Sequence, residues 1–181
     1  MTGAAVPQPG PSRITDFAHH AIVVGVNRHH PVHLLLTAVS MARAVGCDTL
    51  FVAYVDQRRY TVEEFPDGTV RHADIRPDVA DDSWKDLEGA LKDEVARTLE
   101  PTGVTWEFRY LAGRPDRALT HLARAVDASA FVVGSRRSGV GGRAREFLDA
   151  SIAANLVHHQ HRPVLVVPTS VVDWKDEAWG K

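Results

Sequence analysis

The folds open to this chain are limited by a fully apolar run at residues 21–26. This run is followed by a segment with helical spacing and then by a second apolar run. Ala21–Val26 contains no polar side chain, which is typical of a strand buried on both faces of a parallel sheet. Residues 31–45 carry apolar residues at helical spacing, and Gly46 follows where such a helix is expected to stop. Residues 49–55 are again rich in β-branched and aromatic residues. Strand, helix and strand in this order predict a right-handed parallel crossover.

The same alternation continues along the chain. Further strands are predicted at residues 104–111, 130–133 and 163–167, and further helices at residues 83–99, 115–126 and about 144–159. This pattern predicts an α/β fold with a doubly wound, five-stranded parallel sheet.

Residues 57–76 interrupt the alternation. Pro66-Asp67-Gly68 is a strong turn signal, and short segments with β-propensity flank it on both sides. We therefore expect a β-hairpin inserted after the second strand.

Composition narrows the class of function. The net charge is −2, so nothing predicts a general attraction to nucleic acid or to an anionic membrane. No apolar run approaches the length of a bilayer span. Cys47 is the single cysteine and cannot form an internal disulfide, which fits a reducing compartment. We expect a cytoplasmic protein with a flexible tail at residues 1–17, one domain at residues 18–168 and a C-terminal tail at residues 169–181.

The fold class predicts where a ligand binds. In doubly wound sheets, ligands lie outside the carboxyl ends of the strands, at the point where the winding direction reverses. Here that point lies beside Val26-Asn27 and Gly134-Ser135.

Several segments together resemble the universal stress protein family. Phe131–Arg137 is a strand that ends in Gly-Ser, Ala150–Ala153 opens a helix, and His161–Pro168 contains a Pro-Val-Leu-Val-Val strand. Ile22–Asn27 and Ala112–Pro115 match as well. The resemblance implies the strand order 3-2-1-4-5, a homodimer formed partly through the last strand, and a role in stress response.

The resemblance also implies a phosphate motif, because ATP-binding members carry Gly-x2-Gly-x9-Gly-(Ser/Thr). Gly134 and Ser151 fit the two ends of this motif. Arg137 and Ala150 stand where the inner glycines belong, and the spacer between them has twelve residues instead of nine. Asn27 replaces the acid that usually ends the first strand.

Two interpretations of this loop remain open. In one, glycines and arginines rebuild a longer anion-binding loop, since arginine suits phosphate recognition. In the other, the arginines form a solvated surface loop on a module that has lost nucleotide binding and acts in dimeric interactions. The candidate binding residues are Gly25, Val26, Asn27, Tyr54, Val55, Val133, Gly134, Arg136, Arg137, Gly139, Gly141, Gly142, Ala150, Ser151 and Ile152.

The expected function is a regulatory module that binds ATP, with Mg²⁺ accompanying it, or a related adenine nucleotide. Hydrolysis would be slow or absent, because no general base is evident near the loop. His30-Pro31-Val32-His33 has the spacing of the His-x-Gly-His motif of nucleotidyltransferases, which gives a third hypothesis. Since the glycine is missing, two surface histidines at a helix start are the preferred interpretation. No metal site and no catalytic residue are predicted.

Overall fold

Five parallel strands form the central sheet. The computed structural model describes residues 10–76, 83–135 and 152–169. The sheet strands are β1 (Ala21–Val26), β2 (Leu50–Asp56), β5 (Trp106–Ala112), β6 (Ala128–Gly134) and β7 (Val164–Val167). Their spatial order is β5-β2-β1-β6-β7, and each neighbouring pair is parallel. Counted without the hairpin strands, this is 3-2-1-4-5, so the predicted fold class is confirmed.

Helices cover both faces of the sheet. They are α1 (Val32–Val45), α2 (Ser83–Leu99), α3 (Pro115–Ala125) and α4 (Ile152–His159). Buried residues of α1 and α2 belong to one core cluster, and those of α3 and α4 belong to a second. The predicted last helix began near residue 144, and residues 144–151 of it lie outside the described part of the chain.

The apolar run of β1 serves both core clusters. Ile22, Val24 and Val26 belong to the cluster with α1 and α2, while Ala21 and Val23 belong to the cluster with α3 and α4. Successive side chains of a strand point to opposite faces. A central strand covered on both sides therefore needs apolar residues throughout, as the sequence predicts.

The predicted hairpin is present. β3 (Arg59–Glu64) pairs with β4 (Val70–Asp74) in antiparallel fashion. At its turn, Gly68 has φ +80°, and a Cβ there would lie 2.5 Å from Leu122 Cδ1. Both the backbone angle and the close approach to α3 therefore require glycine.

The hairpin packs beside the carboxyl end of β5, at one edge of the sheet. Thr61 Oγ1 donates to the Ala112 carbonyl oxygen over 3.1 Å, and Glu64 lies 3.0 Å from the ring of His121 on α3. The alternating pattern of residues 104–111 predicts a half-exposed edge strand. β5 is the outermost strand of the sheet, and Trp106 and Phe108 are half-buried while Glu107 is exposed, so this prediction is confirmed. Only the carboxyl end of the strand, where the hairpin packs, is buried, at Tyr110, Leu111 and Ala112.

The ends of the domain are partly described. Pro11–Arg13 forms a short 3-10 turn, and Ile14 after it is 79% exposed. In the C-terminal tail, only Thr169 lies within the described residues. None of the helices in the described ranges combines the length and hydropathy needed to cross a membrane.

Candidate functional site

The carboxyl ends of β1, β2 and β6 surround a cleft of about 730 Å³. This volume is in the range of small-molecule sites. Eight of the fifteen residues predicted from the sequence line it: Gly25, Val26, Asn27, Tyr54, Val55, Val133, Gly134 and Ile152. The other seven lie outside the described residues: Arg136, Arg137, Gly139, Gly141, Gly142, Ala150 and Ser151.

Gly25 keeps the floor of the cleft open. A Cβ at this position would lie 3.1 Å from Val133 Cγ1 and 3.3 Å from Leu119 Cδ1. Leu119 is buried and belongs to α3, which closes the cleft from below. A larger residue at position 25 would therefore push against the core as well as fill the cleft.

The end of β1 continues into a tight turn. Asn27 Oδ1 accepts a hydrogen bond from the His29 N–H over 2.9 Å, and the Asn27 carbonyl oxygen accepts one from His30 Nδ1 over 2.8 Å. The Arg28 Nε donates to the Tyr54 hydroxyl oxygen over 3.2 Å and so bridges the ends of β1 and β2. This turn places the Arg28 guanidinium on the wall of the cleft.

The preferred interpretation of the two histidines as surface residues is wrong for His30. His30 is only 5% exposed, and its Nε2 lies 3.9 Å from Glu94 Oε1 on α2. His33 is exposed, and its Nε2 donates to the Pro168 carbonyl oxygen over 2.7 Å. Both imidazoles thus make structural contacts at the start of α1.

The end of β2 carries a buried carboxylate that the sequence analysis missed. The side chain of Asp56 is 3% exposed and lines the cleft. Its Oδ2 lies 3.0 Å from Arg58 Nη2 and accepts from the Tyr110 hydroxyl over 2.7 Å, while its Oδ1 accepts from the Arg58 N–H over 2.9 Å. The only sequence signal was an acid at the end of an apolar strand, followed two positions later by arginine.

These partners set the charge of the site. Burial by itself would raise the pKa of Asp56, but the Arg58 guanidinium, the Arg58 main-chain N–H and the Tyr110 hydroxyl outweigh it and hold that pKa at about 2. Burial, and then the Asp56 carboxylate, raise the pKa of Tyr110 well above its usual range. At neutral pH the carboxylate is therefore ionised and the phenol is protonated.

We expect Asp56→Asn to lower stability at neutral pH but not in strong acid. Because the folded pKa of about 2 lies below the unfolded value of 3.8, ionised Asp56 stabilises the fold above that unfolded value. The contribution, about 2 kcal/mol, is lost as the pH falls through the folded pKa. Urea unfolding of wild type and variant between pH 7 and pH 2 measures it. A difference that does not shrink toward pH 2 would contradict the assignment, and Asp48→Asn, which alters an exposed carboxylate, is the control.

The end of β6 is tied to the segment that follows β7. The Ser135 N–H donates to the Val167 carbonyl oxygen over 2.8 Å, and Ser135 Oγ accepts from the Thr169 N–H over 2.9 Å. Thr169 Oγ1 donates to the Ser135 carbonyl oxygen. The first amide after β6 is thus engaged in the sheet, and Thr169 forms part of the cleft wall.

The described lining of the cleft is cationic. It contains the guanidinium groups of Arg28 and Arg58 and one carboxylate, that of Asp56. Since Asp56 is already paired with Arg58, the charge of Arg28 remains in excess. Such a lining favours an anionic ligand. Among the described residues, no group of three or more His, Cys, Asp or Glu side chains is placed to hold a metal ion.

Comparison with known proteins decides the family. The model of the universal stress protein family matches residues 19–168. The chain belongs to the universal stress protein family. The resemblance identified in the sequence is therefore confirmed. Among the curated proteins, no match to this universal stress protein is found.

Solved structures share its fold. A universal stress protein in complex with cAMP is 24% identical, with a TM-score of 0.59, and the match covers 84% of this chain and 99% of that one. The protein from Archaeoglobus fulgidus in complex with dAMP is 20% identical, with a TM-score of 0.52 and coverages of 81% and 96%. A family protein from Arabidopsis thaliana with AMP bound is 16% identical, with a TM-score of 0.50 and coverages of 84% and 93%.

Proposed function

We propose that this universal stress protein is a regulatory module that binds ATP or a related adenine nucleotide in the cleft at the carboxyl ends of β1, β2 and β6. The observation that carries the proposal is the cleft itself, whose size suits a nucleotide and whose described lining holds an excess positive charge. Structural relatives with bound cAMP, dAMP and AMP support the adenine nucleotide as the ligand class.

The proposed placement follows the strand ends. Gly25, Val26 and Asn27 lie on the adenine and ribose side, and Tyr54 and Val55 offer main-chain groups at the end of β2. The phosphates lie toward the end of β6 and the start of α4, next to Val133, Gly134 and Ile152. The loop residues Arg136, Arg137, Gly139, Gly141, Gly142, Ala150 and Ser151 complete the phosphate side in this proposal. When ATP is the ligand, Mg²⁺ would neutralise part of its charge.

Binding without efficient hydrolysis is part of the proposal. Within the described lining, Asp56 is the only carboxylate, and it is already engaged by Arg58 and Tyr110. An ionised carboxylate with so low a pKa is a poor general base. The protein would therefore signal by occupancy in stress response rather than by turnover.

Calorimetric titration tests the binding. We expect saturable heat with ATP and Mg²⁺, and with AMP or cAMP, but at least tenfold weaker binding of GTP. Phosphate release from ATP should stay near the uncatalysed rate. If neither heat nor a thermal shift occurs at millimolar ATP, the chain is an interaction module without nucleotide binding. Release of pyrophosphate that depends on His30 and His33 would instead support a nucleotidyltransferase.

We also propose a homodimer through β7. This strand ends the sheet, and within the described residues no strand pairs with its outer edge. Leu165 and Val166 are 40% and 44% exposed, which is unusual for adjacent apolar residues of a short strand. A second copy would cover both.

Sedimentation velocity checks the dimer. Wild type is expected to sediment as a dimer, and Val166→Glu as a monomer, because the change places a charge in the proposed contact. Val157→Glu is the matched control, since Val157 is 60% exposed on α4. A wild-type monomer at the highest concentration reached would overturn the proposed dimer.

The expected cytoplasmic location is also part of the proposed function, and cell fractionation tests it.

A further inference from the structure

A second cavity of about 480 Å³ lies next to the nucleotide cleft, where the hairpin meets the start of α2. It is large enough for a single aromatic ring with a polar substituent. We call it the hairpin cavity. Its walls come from the end of β2, the outer ends of β3 and β4, and the first turn of α2, and they include Trp84.

One ion pair separates the two cavities. Asp56 and Arg58 line both, and the Tyr110 hydroxyl holds the Asp56 carboxylate in place. The Arg58 side chain is 58% exposed and forms the rim that both cavities share. The hairpin cavity is therefore adjacent to the cleft without being part of it.

The described lining of the hairpin cavity carries more positive than negative charge. Arg59 Nη1 lies 3.4 Å from Asp74 Oδ2, and Asp74 Oδ1 accepts from the Arg76 N–H over 2.8 Å. No carboxylate of the described residues lies within ion-pair distance of the Arg76 guanidinium. Within the described lining, three guanidinium groups thus face two carboxylates, and both carboxylates, Asp56 and Asp74, already have partners.

A neighbouring histidine does not change this balance. Arg59 Nε donates to His72 Nδ1 over 2.8 Å, so that nitrogen acts as an acceptor. Burial, and then the Arg59 charge, lower the pKa of His72. Its imidazole is neutral at pH 7, and it fixes the Arg59 guanidinium in the wall.

The same walls offer apolar surface for a ring. The Trp84 indole lies edge to face with His72, with ring centroids 4.6 Å apart. Arg59 Cζ is 5.4 Å from the centroid of the Trp84 ring, so cation and indole form one continuous wall. Ile75, which is 57% exposed, lies at the opening. Planar groups with a negative charge suit such a combination of arginine and aromatic surface.

We propose that the hairpin cavity binds a small aromatic anion as a second ligand, separate from the nucleotide. The guanidinium groups of Arg59 and Arg76 hold its anionic group, and Trp84 and Ile75 contact its ring. The shared rim formed by Asp56 and Arg58 places this ligand beside the base end of the proposed nucleotide.

Fluorine NMR of the full chain tests the proposal with 4-fluorobenzoate as the probe and no nucleotide present. We expect saturable line broadening at one site per chain. The neutral analogue 4-fluorobenzamide is expected to bind at least tenfold more weakly, since it lacks the charge. The proposal would be overturned if the two analogues bind equally well, or if 4-fluorobenzoate does not bind.

Variants locate the probe. Arg76→Ala and Ile75→Asp alter exposed residues and should each weaken benzoate binding at least fivefold. Arg97→Ala removes a charge at the far end of α2 and should leave benzoate binding unchanged. Insensitivity to Arg76→Ala in a folded variant would contradict the assignment.

Competition separates this site from the nucleotide cleft. Saturating AMP is expected to leave one benzoate bound per chain. Displacement of benzoate by AMP would show that one ligand occupies both cavities and would overturn the separate site. Because the benzoate titration contains no nucleotide, it remains decisive even if the chain binds no AMP.

Discussion

Replacing Gly134 by valine is expected to weaken nucleotide binding by roughly a hundredfold, equivalent to about 2.7 kcal/mol. Gly134 ends β6 and lines the cleft. A Cβ there would lie 2.7 Å from Thr169 Cγ2, too close for any side chain without movement. Thr169 cannot simply rotate away, because its Oγ1 and its N–H both bond to Ser135. The added side chain therefore displaces the cleft wall or enters the ligand volume.

A pair of milder variants tests this reason. Gly134→Ala should reduce affinity, whereas Gly134→Ala combined with Thr169→Ser should restore much of it. Serine keeps the hydroxyl that bonds to Ser135 but lacks the methyl group that the new Cβ would meet. Calorimetric titration with ATP and Mg²⁺ gives the affinities, and circular dichroism verifies the fold. Wild-type affinity in a folded Gly134→Val protein would contradict the placement of the phosphates beside β6.

Phe131→Ala is expected to lower the free energy of unfolding by about 3–5 kcal/mol. Phe131 is fully buried in the middle of β6 and belongs to the core cluster with Leu119, Leu122 and Leu156 of α3 and α4. Removing its ring loses apolar burial and leaves a cavity between the sheet and two helices. Since the strand is hydrogen-bonded on both sides, the backbone cannot collapse into that space.

Urea denaturation measures this loss. Ile14→Ala, at a position that is 79% exposed, should change stability by no more than about 0.5 kcal/mol. The loss of unfolding free energy for Phe131→Leu should lie between the values for Phe131→Ala and Ile14→Ala, because leucine retains much of the apolar volume. A loss below about 1 kcal/mol for Phe131→Ala would mean that this core tolerates the cavity far better than its packing suggests.

The fold could be predicted from the sequence because its signals are local. The continuous apolar run of β1 reflects burial on both faces, and Gly46 marks the end of α1 with a left-handed backbone, φ +64°. Pro66-Asp67-Gly68 marks the hairpin turn. Each signal depends on residues within a few positions of each other, so no knowledge of the tertiary structure is needed.

Part of the candidate site could not be predicted, because it depends on pairing between distant segments. The register of β2 against β5 places Tyr54 beside Tyr110 and Asp56 beside Ala112, and only this register brings the Tyr110 hydroxyl to the Asp56 carboxylate. The burial of His30 likewise depends on α2, which supplies Glu94. Seven of the eight cleft residues that were predicted lie at or next to strand ends, where topology alone indicates a site. The eighth, Ile152, begins α4.

The hairpin that lies against β5 leaves the two borders of the sheet unequal. The chain's own insertion flanks one border, and at the other border, β7, Leu165 and Val166 are exposed. A fibre that grows by strand pairing between many copies needs two unpaired sheet edges on every molecule. If copies of this chain join through β7, as proposed above, the presence of only one such edge would stop growth at two molecules, and the insertion would then protect against fibre formation.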